Sequence, residues 1–143
     1  MKHSYTILYV DDDHDDLLLI SEAFLQFTEK LRVVHAFNGR EGLQALKEMS
    51  AAHSLPCLVI MDINMPIMDG KEALVQMRKS EEFKNLPVVL FSTSNNSKDH
   101  QFAREWDADF ITKPTNFSDM EGLVKQFVSR CVFELEQTTT QRS

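Results

Sequence analysis

Acidic, hydroxyl and ammonium side chains stand directly after short apolar runs in this 143-residue chain. Four such groups follow four runs: Asp11-Asp12-Asp13, Asp62 with Asn64, Ser92-Thr93, and Lys113-Pro114. If the runs are parallel strands of one sheet, their carboxyl ends meet at one edge, where ligands bind in doubly wound α/β domains. Carboxylates crowded together repel one another unless a cation neutralises them or some of them hold protons. The pattern therefore predicts a cation site at this edge.

Magnesium is the cation that this set of oxygen ligands favours. Mg²⁺ is usually held by one or two carboxylates and completes its octahedron with water and phosphate oxygens, which leaves a carboxylate free for other chemistry. Asp62 is the candidate nucleophile, because an aspartyl carboxylate can attack a phosphoryl donor to give an acyl phosphate. Lys113 would stabilise charge on the transferring group, and Ser92 would donate a hydrogen bond to a phosphoryl oxygen.

The elements that must position these residues are predicted by apolar periodicity. Nearly continuous apolar runs, typical of strands covered on both faces, are Ile7 to Val10, Leu58 to Met61, Val88 to Phe91 and Phe110 to Thr112, with Leu31 to Phe37 as a fifth candidate. Segments with helical spacing lie between them. Because parallel neighbours need crossovers, the predicted fold is α/β: a flavodoxin-like, doubly wound, five-stranded parallel sheet, (βα)5, with strand order 2-1-3-4-5.

Helix starts are predicted where a capping side chain precedes an acid by three residues. Three pairs have this spacing: Asn38 with Glu41, Asp69 with Glu72, and Ser118 with Glu121. The polar stretch 134–143 predicts a frayed tail. We therefore expect one domain over residues 6–130, followed by a C-terminal helix end and polar tail over 131–143.

Composition excludes several classes of function. The formal charge of −7 argues against direct binding to nucleic acid, which depends on Lys and Arg. No apolar stretch is long enough for a signal-peptide core or a membrane span, so a cytoplasmic location is expected. Cys57 and Cys131 lack metal-ligand spacing and are predicted to be two separate core thiols.

Several segments together closely resemble the receiver domains of bacterial response regulators of two-component signalling, over roughly residues 6 to 130. The resemblance rests on Leu8 to Asp13, the string from Met61 to Gly70 with its D-x-N-M-P-x-M-D-G pattern, Ser92-Thr93, and Phe110 to Pro114. It implies a CheY-like phosphorelay protein that stands alone as a single domain. Its phosphodonor would be a sensor histidine kinase or a histidine phosphotransfer protein, and its output a protein contact, with homodimerisation possible.

The resemblance also assigns roles to single residues. It makes Asp62 the phosphoacceptor, and it makes Asp12, Asp62 and the main-chain carbonyl of Asn64 metal ligands, with Asp11 acting through water. Lys113 would contact the phosphoryl group. Ser92 would be the switch hydroxyl that moves toward it, and Phe110 the aromatic whose rotamer follows. The Lys113-Pro114 peptide bond is expected to be cis.

The chain departs from the family pattern at a few positions. The turn from Trp106 to Phe110 is one residue shorter than usual and has Asp107 where glycine is common. Thr115 stands where an aromatic residue is frequent. Ser94 and Asn64 occupy positions that tune the lifetime of the acyl phosphate in this family.

Other polar residues near the site are predicted to have only structural roles. Asp13, Asp15 and Asp16 fit a solvated helix N-terminus, where the helix dipole favours negative charge. His14 has no second histidine at a useful offset and is expected to be solvated. Gly39 and Gly42 build no phosphate-binding loop, so nucleotide or flavin binding lacks support.

Two alternative functions use the same residues. The first is a phosphohydrolase with an aspartyl nucleophile, although such enzymes generally show D-x-D and this chain has Asn64 two residues after Asp62. The second is a receiver-like binding module that is not phosphorylated. A signalling switch that catalyses only its own phosphorylation and dephosphorylation is the favoured interpretation.

Overall fold

Strand and helix alternate along the computed structural model, which describes residues 5–116 and 118–142, with side chains as far as Cys131. The strands are β1 (Tyr5–Val10), β2 (Leu31–Ala36), β3 (Leu58–Met61), β4 (Val88–Ser92) and β5 (Asp109–Thr112). The helices are α1 (His14–Phe27), α2 (Gly39–Ala51), α3 (Gly70–Lys79), α4 (Ser97–Glu105) and α5 (Met120–Arg142).

All strand pairs are parallel, and their order is β2-β1-β3-β4-β5, which confirms the predicted topology. Every residue of β3 and β4 is buried, which explains why these strands are continuous apolar runs. The register aligns the ends of neighbouring strands, since Val10 pairs with Met61 and Ser92 pairs with Thr112. The polar residues that follow these strands are therefore brought to one edge of the sheet.

The core forms two layers, one on each face of the sheet. Alternate residues of β1 point to opposite layers, so Ile7 belongs to the first layer and Leu8 to the second. In the first layer, α1 and α5 contribute Leu17, Ile20, Phe24 and Phe127; in the second, α2, α3 and α4 contribute Leu46, Leu74, Met77 and Ala103. Within the described residues, no helix combines the length and hydrophobicity needed to cross a bilayer.

Two of the three predicted caps are confirmed, and the third is wrong by one residue. Asn38 Oδ1 accepts from the Glu41 N–H at 3.0 Å, and Asp69 Oδ1 accepts from the Glu72 N–H at 2.8 Å. At the last helix, Asp119 and not Ser118 is the capping residue, because its Oδ1 accepts from the Gly122 N–H at 3.0 Å. The three-residue spacing holds there too, but α5 begins one residue later than the sequence indicated.

The polar stretch predicted to be a frayed tail continues the α5 helix, whose backbone runs through Arg142. The sequence contains no Gly or Pro after Gly122, so none of the usual helix breakers interrupts this segment. Ser143 lies outside the described residues.

Cys57 and Cys131 are joined in a disulfide and are not the separate thiols predicted. Their Cα atoms are 5.1 Å apart, within the normal range for such a bond. Cys57 immediately precedes β3 and Cys131 lies on α5, so packing of α5 on the first core layer brings the two together. A sequence separation of 74 residues carries no signal for this pairing.

Candidate functional site

Three carboxylates form an acidic cluster at the carboxyl edge of the sheet. Single carboxylate oxygens of Asp11, Asp12 and Asp62 lie within 4.8 Å of one another. The first two residues follow β1 and the third follows the neighbouring β3. The Asp62 N–H donates to the Val10 carbonyl at 2.9 Å, which anchors the backbone of the nucleophile candidate to the end of β1. The predicted convergence of these acids is therefore present in the fold.

Lys113 places its ammonium group among carboxylates from three segments. Its Nζ lies 2.7 Å from Asp11 Oδ2, 2.9 Å from Asp16 Oδ2 and 3.2 Å from Asp62 Oδ2. Asp16 had been assigned to a solvated helix N-terminus, and this assignment is wrong. One feature of the sequence could have predicted the contact of Asp16 with Lys113: Asp16 stands just before the buried Leu17, on the side of α1 that faces the sheet.

Burial and hydrogen bonding shift the pKa values of two groups in this cluster. Burial raises the pKa of the Asp11 carboxyl to about 6, although hydrogen bonds from Lys113 and from the Asp13 N–H act against the rise. Burial alone would lower the pKa of Lys113, but the Asp11 and Asp16 carboxylates outweigh it and the pKa lies above its usual range. Lys113 is therefore a fixed positive charge at neutral pH.

The loop after β3 holds Asp62 in a defined orientation. Its Oδ1 accepts from the Ile63 N–H at 2.7 Å, while Oδ2 is the atom that faces Lys113. Gly70, the first residue of α3, lies against this loop, and its N–H donates to the Ile63 carbonyl at 2.8 Å. A Cβ at position 70 would stand only 2.1 Å from the Asp62 carbonyl oxygen. The site thus requires a residue without a side chain there.

Residues 7–125 match the family described as response regulator receiver domain. The chain belongs to this family. A curated relative, the probable methanogenesis regulatory protein FilR2 of Methanothrix harundinacea, is 30% identical over 124 residues, which are 85% of this chain and 80% of the relative. Other relatives are longer: the chain spans 54% of the response regulator Rre1 of Synechocystis.

Solved receiver structures share the fold. The phosphorylated cyanobacterial phytochrome response regulator RcpA superposes with a TM-score of 0.82 at 32% identity, over 91% of this chain and 94% of that one. The Mn²⁺-bound form of the response regulator Rcp1 gives a TM-score of 0.75 at 27% identity, over 87% and 92% of the two chains. The flavodoxin-like, CheY-type architecture predicted from sequence is confirmed.

The two predicted switch residues of this receiver domain lie on adjacent strands. Ser92 ends β4 and is fully buried, and its Oγ accepts from the Ser94 N–H at 3.3 Å. Phe110 in β5 is half-buried, and its ring centroid lies 4.0 Å from that of His100 on α4. The Ser92 carbonyl accepts from the Lys113 N–H at 2.8 Å, which joins the strand to the acidic cluster. The movement of Ser92 and Phe110 on phosphorylation remains a prediction.

Three further positions complete the comparison with the family pattern. The Lys113-Pro114 bond is trans, so the expected cis bond is wrong; trans is the lower-energy form of the bond before a proline, and Pro114 is exposed. Asp107 has φ 55°, the left-handed conformation that explains why glycine is common there. Asn64 is exposed in the loop after Asp62.

His14 lies outside the acidic cluster. It is exposed, and its ring stacks on Phe37 with centroids 4.6 Å apart. Met65 and Met68 pack against the second core layer, as expected for a loop supported by apolar side chains.

The donor atoms at this edge fit a hard divalent cation. All three clustered ligands are carboxylate oxygens, the type that Mg²⁺ and Mn²⁺ prefer. Lys113 pairs with Asp11 and Asp62 but not with Asp12, whose exposed carboxylate is open to solvent. A cation would therefore be held by Asp12 together with oxygens of Asp11 and Asp62.

Proposed function

We propose that this receiver domain accepts a phosphoryl group on Asp62, with Mg²⁺, and signals through a change of conformation read by protein contacts. The observation that carries this proposal is the Lys113 ammonium group 3.2 Å from Asp62 Oδ2 inside a cluster of carboxylates. That arrangement supplies a nucleophile and a fixed positive charge at one place. Phosphoryl transfer needs little more from a protein than positioning and charge stabilisation.

The chain's own residues divide the chemistry between them. A carboxylate oxygen of Asp62 forms the bond to phosphorus as the bond from phosphorus to the donor's leaving atom breaks. Lys113 balances charge on the phosphoryl oxygens, and the buried Ser92 hydroxyl turns toward one of them. Asp11, Asp12, Asp62 and the Asn64 carbonyl would hold Mg²⁺, which supplies further charge neutralisation at the phosphoryl group when bound.

The donor we propose is a phosphohistidine on a sensor histidine kinase or a histidine phosphotransfer protein in the cytoplasm. A partner of this kind fits a domain whose reactive carboxylate stands at the sheet edge with 13% of its side chain exposed. This exposure leaves an approach for a phosphorylated side chain. The protein that receives the signal is a separate question from the chemistry at Asp62.

Substitution of Asp62 tests the proposal. With an acyl phosphate as small donor and with Mg²⁺, the wild-type protein should form a phosphoprotein that resists acid and is cleaved by base. Asp62→Asn should form none, because the amide is not a nucleophile toward phosphorus. Labelling is measured by mass spectrometry and by incorporation of radioactive phosphate.

The matched control is Asp69→Asn, in the same loop. Asp69 caps α3, and asparagine caps helices equally well, so this variant should be labelled like the wild type. Equal labelling of Asp62→Asn would contradict the proposal. Steady release of phosphate over many turnovers would instead favour the phosphohydrolase.

A further inference from the structure

Three side chains from three segments form a network next to the candidate phosphoacceptor site. Lys71 at the start of α3 places Nζ 2.5 Å from Asp99 Oδ1, and the Ser94 hydroxyl donates to Asp99 Oδ2 at 2.5 Å. Asp99 lies on α4, and Ser94 lies in the loop between β4 and α4. We call this set the Lys71–Asp99–Ser94 network.

The network is held firmly at its acidic centre. The Asp99 side chain is 10% exposed, and its pKa is lowered by the hydrogen bond from Lys71 and then by that from Ser94. The Lys71 ammonium also lies 5.2 Å from the ring centroid of Phe102, one turn further along α4. Charge-assisted hydrogen bonds of this kind are stronger than neutral ones.

Each end of the network reaches a part of the candidate site. The Ser94 N–H donates to Ser92 Oγ, so the network restrains the residue proposed to be the switch hydroxyl. Lys71 directly follows Gly70, whose backbone is packed against the Asp62 carbonyl with no space for a methyl group. The network therefore connects the loop that carries Asp62 to the loop that carries Ser92.

We propose that Lys71 and Asp99 are positioning residues that hold the β4–α4 loop in its unphosphorylated arrangement and so slow phosphorylation of Asp62. This inference rests on the proposed function. For the Ser92 hydroxyl to turn toward a phosphoryl group, its bond from Ser94 must break, and Ser94 is fixed in place by Asp99. The free energy with which the network stabilises the resting arrangement must be given up when the loop rearranges. The network therefore makes the phosphorylated arrangement less favourable.

The test compares Lys71→Met with Lys71→Arg. Methionine keeps the apolar length over Phe102 but removes the ion pair, whereas arginine keeps the charge. We expect Lys71→Met to be phosphorylated by a small acyl phosphate about three- to tenfold faster, because a change of this size corresponds to the loss of one partly exposed charged hydrogen bond. The apparent affinity for beryllofluoride with Mg²⁺ should rise by a similar factor. Lys71→Arg should stay near the wild-type rate.

Lys125→Met is the matched control, because Lys125 pairs with Glu121 at 3.5 Å on the exposed face of α5, away from the cluster. Its phosphorylation rate should equal that of the wild type. A merely structural network would lower the thermal stability of Lys71→Met and leave its phosphorylation rate and beryllofluoride affinity unchanged. That result would overturn the inference while leaving the proposed function intact. If the wild-type protein is not phosphorylated at all, the proposed function fails and the inference fails with it.

Discussion

Four carboxylates and a single ammonium group lie together at the edge of the sheet. Asp11, Asp16 and Asp62 contact Lys113, and Asp12 adds a fourth acid within reach of two of them. With all four ionised, four negative charges and one positive charge leave an excess of three negative charges. Like charges at these distances destabilise one another, so the local charge itself favours a bound cation.

Asp12 should therefore contribute strongly to binding of Mg²⁺ and little to folding. We expect Asp12→Asn to weaken Mg²⁺ binding at least about tenfold, because the amide replaces a charged ligand. Isothermal titration calorimetry measures the change. Asp13→Asn is the matched control: Asp13 caps α1, and asparagine preserves that cap. Equal affinities of the two variants would contradict the assignment of Asp12 as a ligand.

Asp99 should give the fold a stability contribution that depends on pH. Lys71 and Ser94 lower its pKa in the folded state, so this contribution is present above its unfolded pKa of about 3.9 and is lost as the pH falls below it. The stability difference between the wild type and Asp99→Asn should be largest near neutral pH and should shrink toward pH ~3. Urea unfolding at several pH values measures it. A difference that is constant with pH would contradict the assignment.

The turn between α4 and β5 is stabilised by a side chain from another element. Arg78 near the end of α3 donates to the carbonyls of Trp106 and Asp107 at 2.9 and 2.8 Å, and to that of Lys84 at 3.1 Å. The first two bonds satisfy carbonyl groups of the turn at Asp107, whose backbone is in the left-handed conformation, and the third holds the segment before β4. The guanidinium fork thus ties α3 to the strand that carries Phe110.

Asp107→Gly should stabilise the protein. Glycine adopts positive φ without the steric cost that a Cβ brings, and we expect the free energy of unfolding to rise by about 0.5 to 1 kcal/mol. Denaturant titration measures the change. Asp107→Asn removes the charge but keeps a side chain tolerated at positive φ, so it should stay close to the wild type. A rise of the same size in both variants would assign the effect to charge instead.

The elements themselves could be predicted from sequence more completely than the contacts between them. Buried parallel strands are apolar throughout, so β3 was predicted with its observed bounds, whereas β1 starts at Tyr5, two residues before its apolar run. The proximity of the acids that follow β1 and β3 could be predicted, because neighbouring parallel strands end at the same edge of the sheet. The contact of Asp16 with Lys113 depends on how α1 is rotated against the sheet, and the buried stripe of α1 that begins at Leu17 was its one signal in the sequence.

At the scale of the whole molecule, a covalent bond connects α5 to the sheet. The Cys57–Cys131 disulfide closes a loop that includes β3, β4, β5, the two helices between them and about the first half of α5. Two cysteines far apart in sequence give no sign of pairing until the fold brings them together, which is why the bond could not be predicted. Disulfides are rare in the cytosol, so in the cytoplasmic location proposed above the reduced protein would be the relevant reference.

Reduction of this disulfide should destabilise the fold. For a loop of this length, the chain-entropy model gives a loss of about 4.5 kcal/mol in the free energy of unfolding. Urea unfolding with and without a phosphine reductant measures the loss. The double variant Cys57→Ser and Cys131→Ser serves as the control, because the reductant should leave its stability unchanged. An unfolding midpoint of the wild type that does not respond to full reduction would contradict the prediction.

The contact between Gly70 and the Asp62 carbonyl also limits how this sequence can vary. One added methyl group would overlap the backbone carbonyl oxygen of Asp62, the proposed phosphoacceptor. Backbone atoms cannot rotate away as a flexible side chain can, so the substitution must displace either Asp62 or the first turn of α3. Even alanine, the smallest possible substitution, is therefore not expected to be neutral at this position, although Gly70 has no proposed role in the chemistry.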